Sequence, residues 1–354
     1  MALTFNQRVK LKVTRQFVVV GVLLGIVYIF FVWGFSDLWH YINGIVIGFT
    51  IGLLIAILEL FVFSRGAKKL RFIWLLTLRT FIYFTLITLI IFNVVVISRL
   101  FLWDTSYFEV LADERFYKDY LIEGDFSVAV VYTLILAFVI NFIRMISRKM
   151  GQGMMLSFIQ GTYYAPVHQA RIFMFVNVVG SKKILHDLGP LKLHGFLNDL
   201  FYDFTVPVVT NRGVIYEYIE DLVVITWALD KGIRNANCIR TYFDIKETIN
   251  SNKEEYLNKY GFIPQIQAGL HTGSVVRAEI GEVKTQIVFH GDTMNTTSRI
   301  LEKCSELNID LLASDQLIRM IGLPRIYGKK TMGEIDLRGK QDRLKLFEVI
   351  DKVD

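Results

Sequence analysis

Four long apolar runs lie within the first 150 residues, and they limit what this chain can fold into more than any other feature. Gln16–Ser36, Leu38–Leu58, Thr80–Ser98 and Phe126–Ile143 carry no Asp, Glu, Lys or Arg. A helix needs about 20 apolar residues to cross the hydrocarbon of a bilayer. One such run can be the core helix of a soluble protein, but several in close succession predict a multi-pass α-helical membrane domain. The first run is too long for the apolar part of a signal peptide and lacks a small-residue cleavage site. Composition agrees: 53% hydrophobic and 20% charged residues, with a mean hydropathy of +0.43, argue against an ordinary cytosolic enzyme. Only five prolines exclude a collagen-like or disordered chain. The two cysteines, Cys238 and Cys304, make no disulfide framework and have no metal-ligand spacing.

Basic residues orient the bundle. Arg8, Lys10, Lys12 and Arg15 precede the first run; Arg65, Lys68, Lys69 and Arg71 separate the second from the third; Arg144, Arg148 and Lys149 follow the fourth. The segment around Asp37–Asn43 has no Lys or Arg, and Arg99–Asp125 is mostly acidic. This asymmetry predicts four spans in the inner (plasma) membrane with both termini cytoplasmic. The same basic flanks account for most of the net charge of +6, so the partner they imply is the lipid bilayer, and no nucleic acid is needed. Gly44, Gly48 and Gly52 form a small-residue stripe that serves either a dimer face or packing inside the bundle. Glu59 and Arg79, near the cytoplasmic ends of their spans, are expected to pair, either as plain neutralisation or as a signal relay. The spans lack the central polar cluster that a transport path requires.

Composition changes after the fourth run. Residues 1–149 form the membrane domain, and 150–170 a connector broken by Gly151, Gly153, Gly161 and Pro166. Residues 171–354 read as a soluble domain. Arg171–Val178 is a strand, Ile184–Val209 a helix, and Val214–Leu229 two strands joined by a tight turn at Glu220–Asp221. Cys238–Tyr260 reads as one amphipathic helix, and Ile263–Val276 as strand with a turn at Gly273. Gln286–His290 is a short strand, Met294–Leu307 a helix, and Lys330–Ile350 a closing pair of strands. That order predicts an α+β domain with a mostly antiparallel sheet carrying helices.

Four segments in this half resemble one family. They are RIFMFVNVVGSKKILHDLG, GVIYEYIEDLVVITW, AGLHTGSVVRAEIG and VFHGDTMNTTSRI, and the closing RGKQDRLKLFEV fits as well. Together they resemble the class III nucleotidyl cyclases, the adenylate/guanylate cyclase family, over roughly Arg171–Val349. The resemblance implies a ferredoxin-like core and an intramolecular reaction. In it the ribose 3′-hydroxyl of ATP or GTP attacks the α-phosphate, giving a cyclic nucleotide and pyrophosphate. It also implies two divalent cations, Mg²⁺ or Mn²⁺, at Asn177, Val178 and Asp221. Asn177 stands where the family carries an aspartate, which predicts weaker Mg²⁺ binding and leaves open either an active enzyme or a pseudocyclase. Val179, Gly180, Ser181 and Lys182 resemble the loop that cradles the triphosphate. Asn295 and Arg299, on one helical face, resemble the pair that orients ribose and neutralises the α-phosphate. Lys340 resembles a lysine that contacts the terminal phosphates, or is a plain surface lysine. Glu217 and Val288 fall at base-reading positions; Glu217 hints at guanine, and Val288 offers no hydrogen bond to support it. The family builds each site between two domains, so one domain per chain implies a homodimer, or a heterodimer with a complete cyclase. The competing non-enzymatic reading is a receptor or nucleotide sensor.

Overall fold

The computed structural model describes residues 5–35, 38–63, 72–122, 126–150, 166–281, 286–335 and 343–352. The chain divides into two compact units, Met1–Lys149 and Met150–Asp354. In the first, helices α1 (Phe5–Trp33), α2 (Leu38–Ile57), α3 (Phe72–Trp103) and α6 (Phe126–Met150) correspond to the four apolar runs. Two short helices, α4 (Tyr107–Ala112) and α5 (Glu114–Phe116), lie between α3 and α6. Among the described residues, Leu38–Phe61 and Phe72–Phe101 are long and apolar enough to cross a membrane, while Thr14–Phe30 and Thr133–Ile143 are shorter apolar stretches.

The glycine stripe packs inside the bundle. A Cβ on Gly21 would lie 2.2 Å from the Gly48 carbonyl oxygen, one on Gly25 2.1 Å from that of Gly44, and one on Gly52 2.5 Å from that of Phe17. Gly44, Gly48 and Gly52 are therefore consumed by close contact between α1 and α2, and the dimer-face alternative falls away. Glu59 and Arg79 do pair: Arg79 Nη1 lies 3.4 Å from Glu59 Oε1, and both side chains are buried. Tyr83 donates its hydroxyl to the same oxygen at 2.6 Å, and the guanidinium stacks 4.5 Å from the Phe63 ring. Each charge thus has a partner where water is absent.

The second unit is built on β1 (Val167–Val178), α7 (Ser181–Thr210), β2 (Val214–Ile219), β3 (Leu222–Ala228), α8 (Leu229–Ile233), α9 (Asn237–Ser251), α10 (Lys253–Tyr260) and β4 (Ile266–Ile280). It continues with β5 (Gln286–His290), α11 (Asp292–Leu307), β6 (Leu311–Ser314), α12 (Asp315–Ile321), β7 (Tyr327–Ile335) and β8 (Leu344–Asp351). The sheet runs β2-β3-β1-β4-β6-β8-β7, with β5 on the outer half of β4. The order β4-β1-β3-β2 with α7 and α9 as crossovers is the ferredoxin-like β-α-β-β-α-β arrangement. All its pairings are antiparallel except β4 with β6, which makes the sheet mixed. Strand alternation splits the core into two layers. Ile172, Met174 and Val176 face α7 and α9 with Leu200 and Tyr242; Phe173 and Phe175 face α11 with Ile300 and Cys304.

Several expected elements differ. The single helix over Cys238–Tyr260 is two, broken at Asn252, whose side chain donates to Asp203 Oδ2 at 2.8 Å. Gly273 is no turn: β4 passes straight through it, and a Cβ there would sit 2.5 Å from Thr293 Oγ1, so glycine lets α11 lie against the strand. Helix α7 starts earlier than expected and kinks at Gly189–Pro190. Strand β6 and helix α12 were too short to show any period.

Candidate active site

The hairpin β2–β3 closes through Glu220 and Asp221, beside the last residues of β1. Asn177 pairs with Leu222, and the Val178 amide donates to the Asp221 carbonyl at 3.3 Å. The Asn177 and Asp221 side chains thus share one end of the sheet. Asn177 Oδ1 is buried and accepts no hydrogen bond. A buried acceptor with no donor is unfavourable unless a cation or another donor completes it. That orphaned oxygen fits a donor or a divalent cation. Glu220 takes a positive φ of 51°, the turn position where glycine is unstrained.

Beyond β1, the Val179 amide donates to Gln265 at 2.9 Å and Gly180 adopts a φ of 71°. The first main-chain bond of α7 runs from the Ile184 amide to Gly180, at 3.0 Å. The amides of Ser181, Lys182 and Lys183 therefore precede the helical ladder, at the positive end of its dipole. Lys182 is exposed and Ser181 half-buried.

On α11, Thr293, Thr296, Thr297, Ile300 and Cys304 face the sheet and are buried. Asn295 is exposed and Arg299 half-buried on the outward side. The strand beneath gives a scale. Gly273 lies under Thr293, Gly269 lies under Leu301, and Gln267 Nε2 donates to the Cys304 carbonyl at 3.3 Å. Gln267 is also the β4 partner of Asn177. Asn177 is therefore level with the C-terminal end of α11, and Asn295 with its N-terminal end. From Cys304 to Asn295 is nine residues of helix, about 13 Å. Within one chain the metal end and Asn295 stay apart.

A register shift in β2 between Ile215 and Glu217 leaves Tyr216 bulged, with Glu217 opposite Val224. The Tyr216 ring lies 5.0 Å from that of Phe289, which also meets Phe173 at 5.5 Å and the Arg171 guanidinium at 4.7 Å. Burial pushes the Tyr216 phenol above its ordinary range. Val288 pairs with Ala278 and, by alternation, lies on the other face of β5 from Phe289. Tyr216 of β2 thus reaches β5 through Phe289, on the face of the sheet that carries α11. Lys340 lies outside the described residues.

The sequence profile of the family described as Adenylate and Guanylate cyclase catalytic domain matches residues 163–350. The chain belongs to that family. It is 34% identical over 219 residues to Adenylate cyclase 2 of Rhizobium meliloti, covering 62% of this chain and 60% of that protein. It is 28% identical over 171 residues to Receptor-type guanylate cyclase gcy-13 of Caenorhabditis elegans, covering 47% of this chain and 16% of that protein. The fold is similar to that of a bacterial light-regulated adenylyl cyclase, with a TM-score of 0.52 at 17% identity over 62% of this chain and 64% of the other.

Proposed function

We propose that this chain is a membrane-anchored nucleotidyl cyclase that works as a dimer and converts ATP or GTP into a 3′,5′-cyclic nucleotide and pyrophosphate. The observation that carries the reading is that Asn295 and Arg299 lie on the outward side of α11, away from the sheet that carries Asn177, with Asn295 also displaced along the helix. Asn177 and Asp221 of one chain need Asn295 and Arg299 of another, and a homodimer supplies two such sites. The 3′-hydroxyl oxygen forms a bond to the α-phosphorus, the bond to the pyrophosphate oxygen breaks, and the hydroxyl proton leaves. Asn177 Oδ1, the Asp221 carboxylate and the Val178 main chain would hold Mg²⁺ or Mn²⁺. A bound divalent cation acidifies the hydroxyl and neutralises the triphosphate. The amides from Val179 to Lys182 receive phosphate oxygens, Asn295 orients the ribose, and Arg299 neutralises the α-phosphate. Lys340 contacts the terminal phosphates. Glu217 is the candidate on β2 for reading the base. The membrane part contributes four spans, α1, α2, α3 and α6, with both termini cytoplasmic and a connector over 150–170 leading to the catalytic domain at 171–354.

Asn177 favours a second reading, a pseudocyclase acting as receptor, nucleotide sensor or heterodimer partner. Purified full-length protein, assayed with ATP and GTP in Mg²⁺ and in Mn²⁺, separates the two. Cyclic nucleotide formation by the natural chain supports the enzyme. If only a mixture with a complete cyclase is active, loss of that activity on Arg299→Ala but not on Asp221→Ala supports the heterodimer.

A further inference from the structure

The apolar stretch Phe72–Phe101 of α3 has 30 residues, about 45 Å of helix against about 30 Å of bilayer hydrocarbon. Its far end therefore tilts or emerges from the hydrocarbon. A small packed cap forms there. Ser106 and Glu109 close a capping box at the start of α4. Val110 and Phe116 are buried against Val96 of α3, with Phe92, Trp103 and Tyr107 around them. Tyr107 donates its hydroxyl to Asn93 Oδ1 at 2.8 Å, so the cap folds back alongside α3 rather than leading away from it.

The cap leaves large apolar side chains uncovered beside exposed charges such as Glu109, Glu114 and Lys118. Phe108 is 80% exposed and Ile122 76%. Leu89, Ile97 and Phe101 of α3 are 51%, 45% and 74% exposed, and Asn93 completes their four-residue spacing on one helical face. The tyrosine that anchors the cap thus lands on the same stripe that α3 offers to lipid. The Trp103 ring is flanked by the Arg99 and Arg115 guanidinium groups at 5.6 and 5.4 Å. Tryptophan with cations beside it is the chemistry of the headgroup level.

We propose that the cap formed by α4, α5 and the π-helical segment Tyr117–Ile122 is a membrane-interface anchor, seated on the leaflet where α3 emerges, with Phe108 and Ile122 inserted among lipid headgroups and upper acyl chains. The lipid-facing stripe then continues without a break from α3 onto the cap. The anchor holds the end of α3 at a fixed depth. This proposal rests on the membrane reading above.

Site-specific quenching tests it. Cys238 and Cys304 are buried, and burial pushes both thiols up to about 12, so a maleimide labels an introduced cysteine selectively. The full chain carrying Phe108→Cys, Leu89→Cys or Glu114→Cys is labelled with nitrobenzoxadiazole. It is then placed in vesicles of phosphatidylcholine and phosphatidylglycerol. Quenchers are iodide, on both sides of the vesicle, and nitroxide-labelled phosphatidylcholine. The expected result is that the Leu89 and Phe108 probes lose their emission to the lipid nitroxide and keep it against iodide, while the exposed Glu114 probe loses it to iodide. A Phe108 probe quenched by iodide, with the Leu89 probe still in lipid, overturns the anchor and leaves the spanning reading intact. A Phe108 probe shielded from both quenchers means that a second copy covers the face, and overturns the anchor too. A Leu89 probe in water removes the spanning reading and the anchor with it.

Discussion

At position 177 a neutral amide stands beside Asp221, and its Oδ1 accepts no hydrogen bond. Asn177→Asp keeps the shape and adds one negative charge where a cation would bind. It is expected to raise cyclisation tenfold to a thousandfold, about 1.4–4 kcal/mol of barrier. The gain should be larger in Mg²⁺ than in Mn²⁺, because Mg²⁺ is stricter about ligand geometry and favours carboxylate. Initial rates in the two metals measure it, and an equal or absent gain points to a defect elsewhere in the site. The neighbouring turn offers an independent check. Glu220 sits at a φ of 51°, so Glu220→Gly should relieve backbone strain. A stabilisation of about 1 kcal/mol, or about 2–4 °C in melting midpoint, is expected in thermal unfolding of the soluble domain. No change or a loss would mean that the Glu220 side chain makes up for the strain.

Among the elements, Gly273 and Glu59–Arg79 carry the clearest consequences. Gly273→Ala drives a Cβ to 2.5 Å from Thr293 Oγ1 and should push α11 off β4, at about 1–3 kcal/mol of overpacking. Activity should fall with stability, because α11 carries Asn295 and Arg299. Thr293→Ala removes that oxygen and should restore part of both; failure of the rescue would locate the damage elsewhere. In the membrane bundle, Arg79→Met leaves the Glu59 carboxylate buried without its cation, although Tyr83 still donates to it. That single change should destabilise by about 3–5 kcal/mol, and the double change with Glu59→Leu by much less. Thermal unfolding in detergent distinguishes the two. These elements also show what the sequence could reveal. The β2–β3 turn and the helix carrying Asn295 and Arg299 were legible because polar turn residues and an apolar face of period 3.6 stand out locally. Gly273 misled because glycine marks both turns and close helix–strand contacts. The partner of the Gly44–Gly52 stripe was hidden because Gly21 and Gly25 signal a contact only once two helices are placed together. Tyr216 escaped because its contact with Phe289 joins strands far apart in the sequence, which no local pattern marks.

Across the whole molecule, Asn177 is level with Cys304 of α11, Arg299 lies mid-helix and Asn295 near the N-terminal end, with both Asn295 and Arg299 on the outward side. In the proposed function a single chain supplies two half-sites, and activity belongs to a pair. Family membership and the fold of the second unit support the chemistry, while the apolar helices of the first unit support its placement at a bilayer. The most direct test of that account is complementation. Asp221→Ala destroys the cation half and Arg299→Ala the phosphate half. Each variant alone should form no cyclic nucleotide. Co-expressed, half of the randomly formed dimers are mixed, and each mixed dimer holds one intact site. The mixture should therefore recover about one quarter of the activity of the natural chain. A mixture as inactive as its two components, beside an active natural chain, would place all the groups in one protomer and contradict the account.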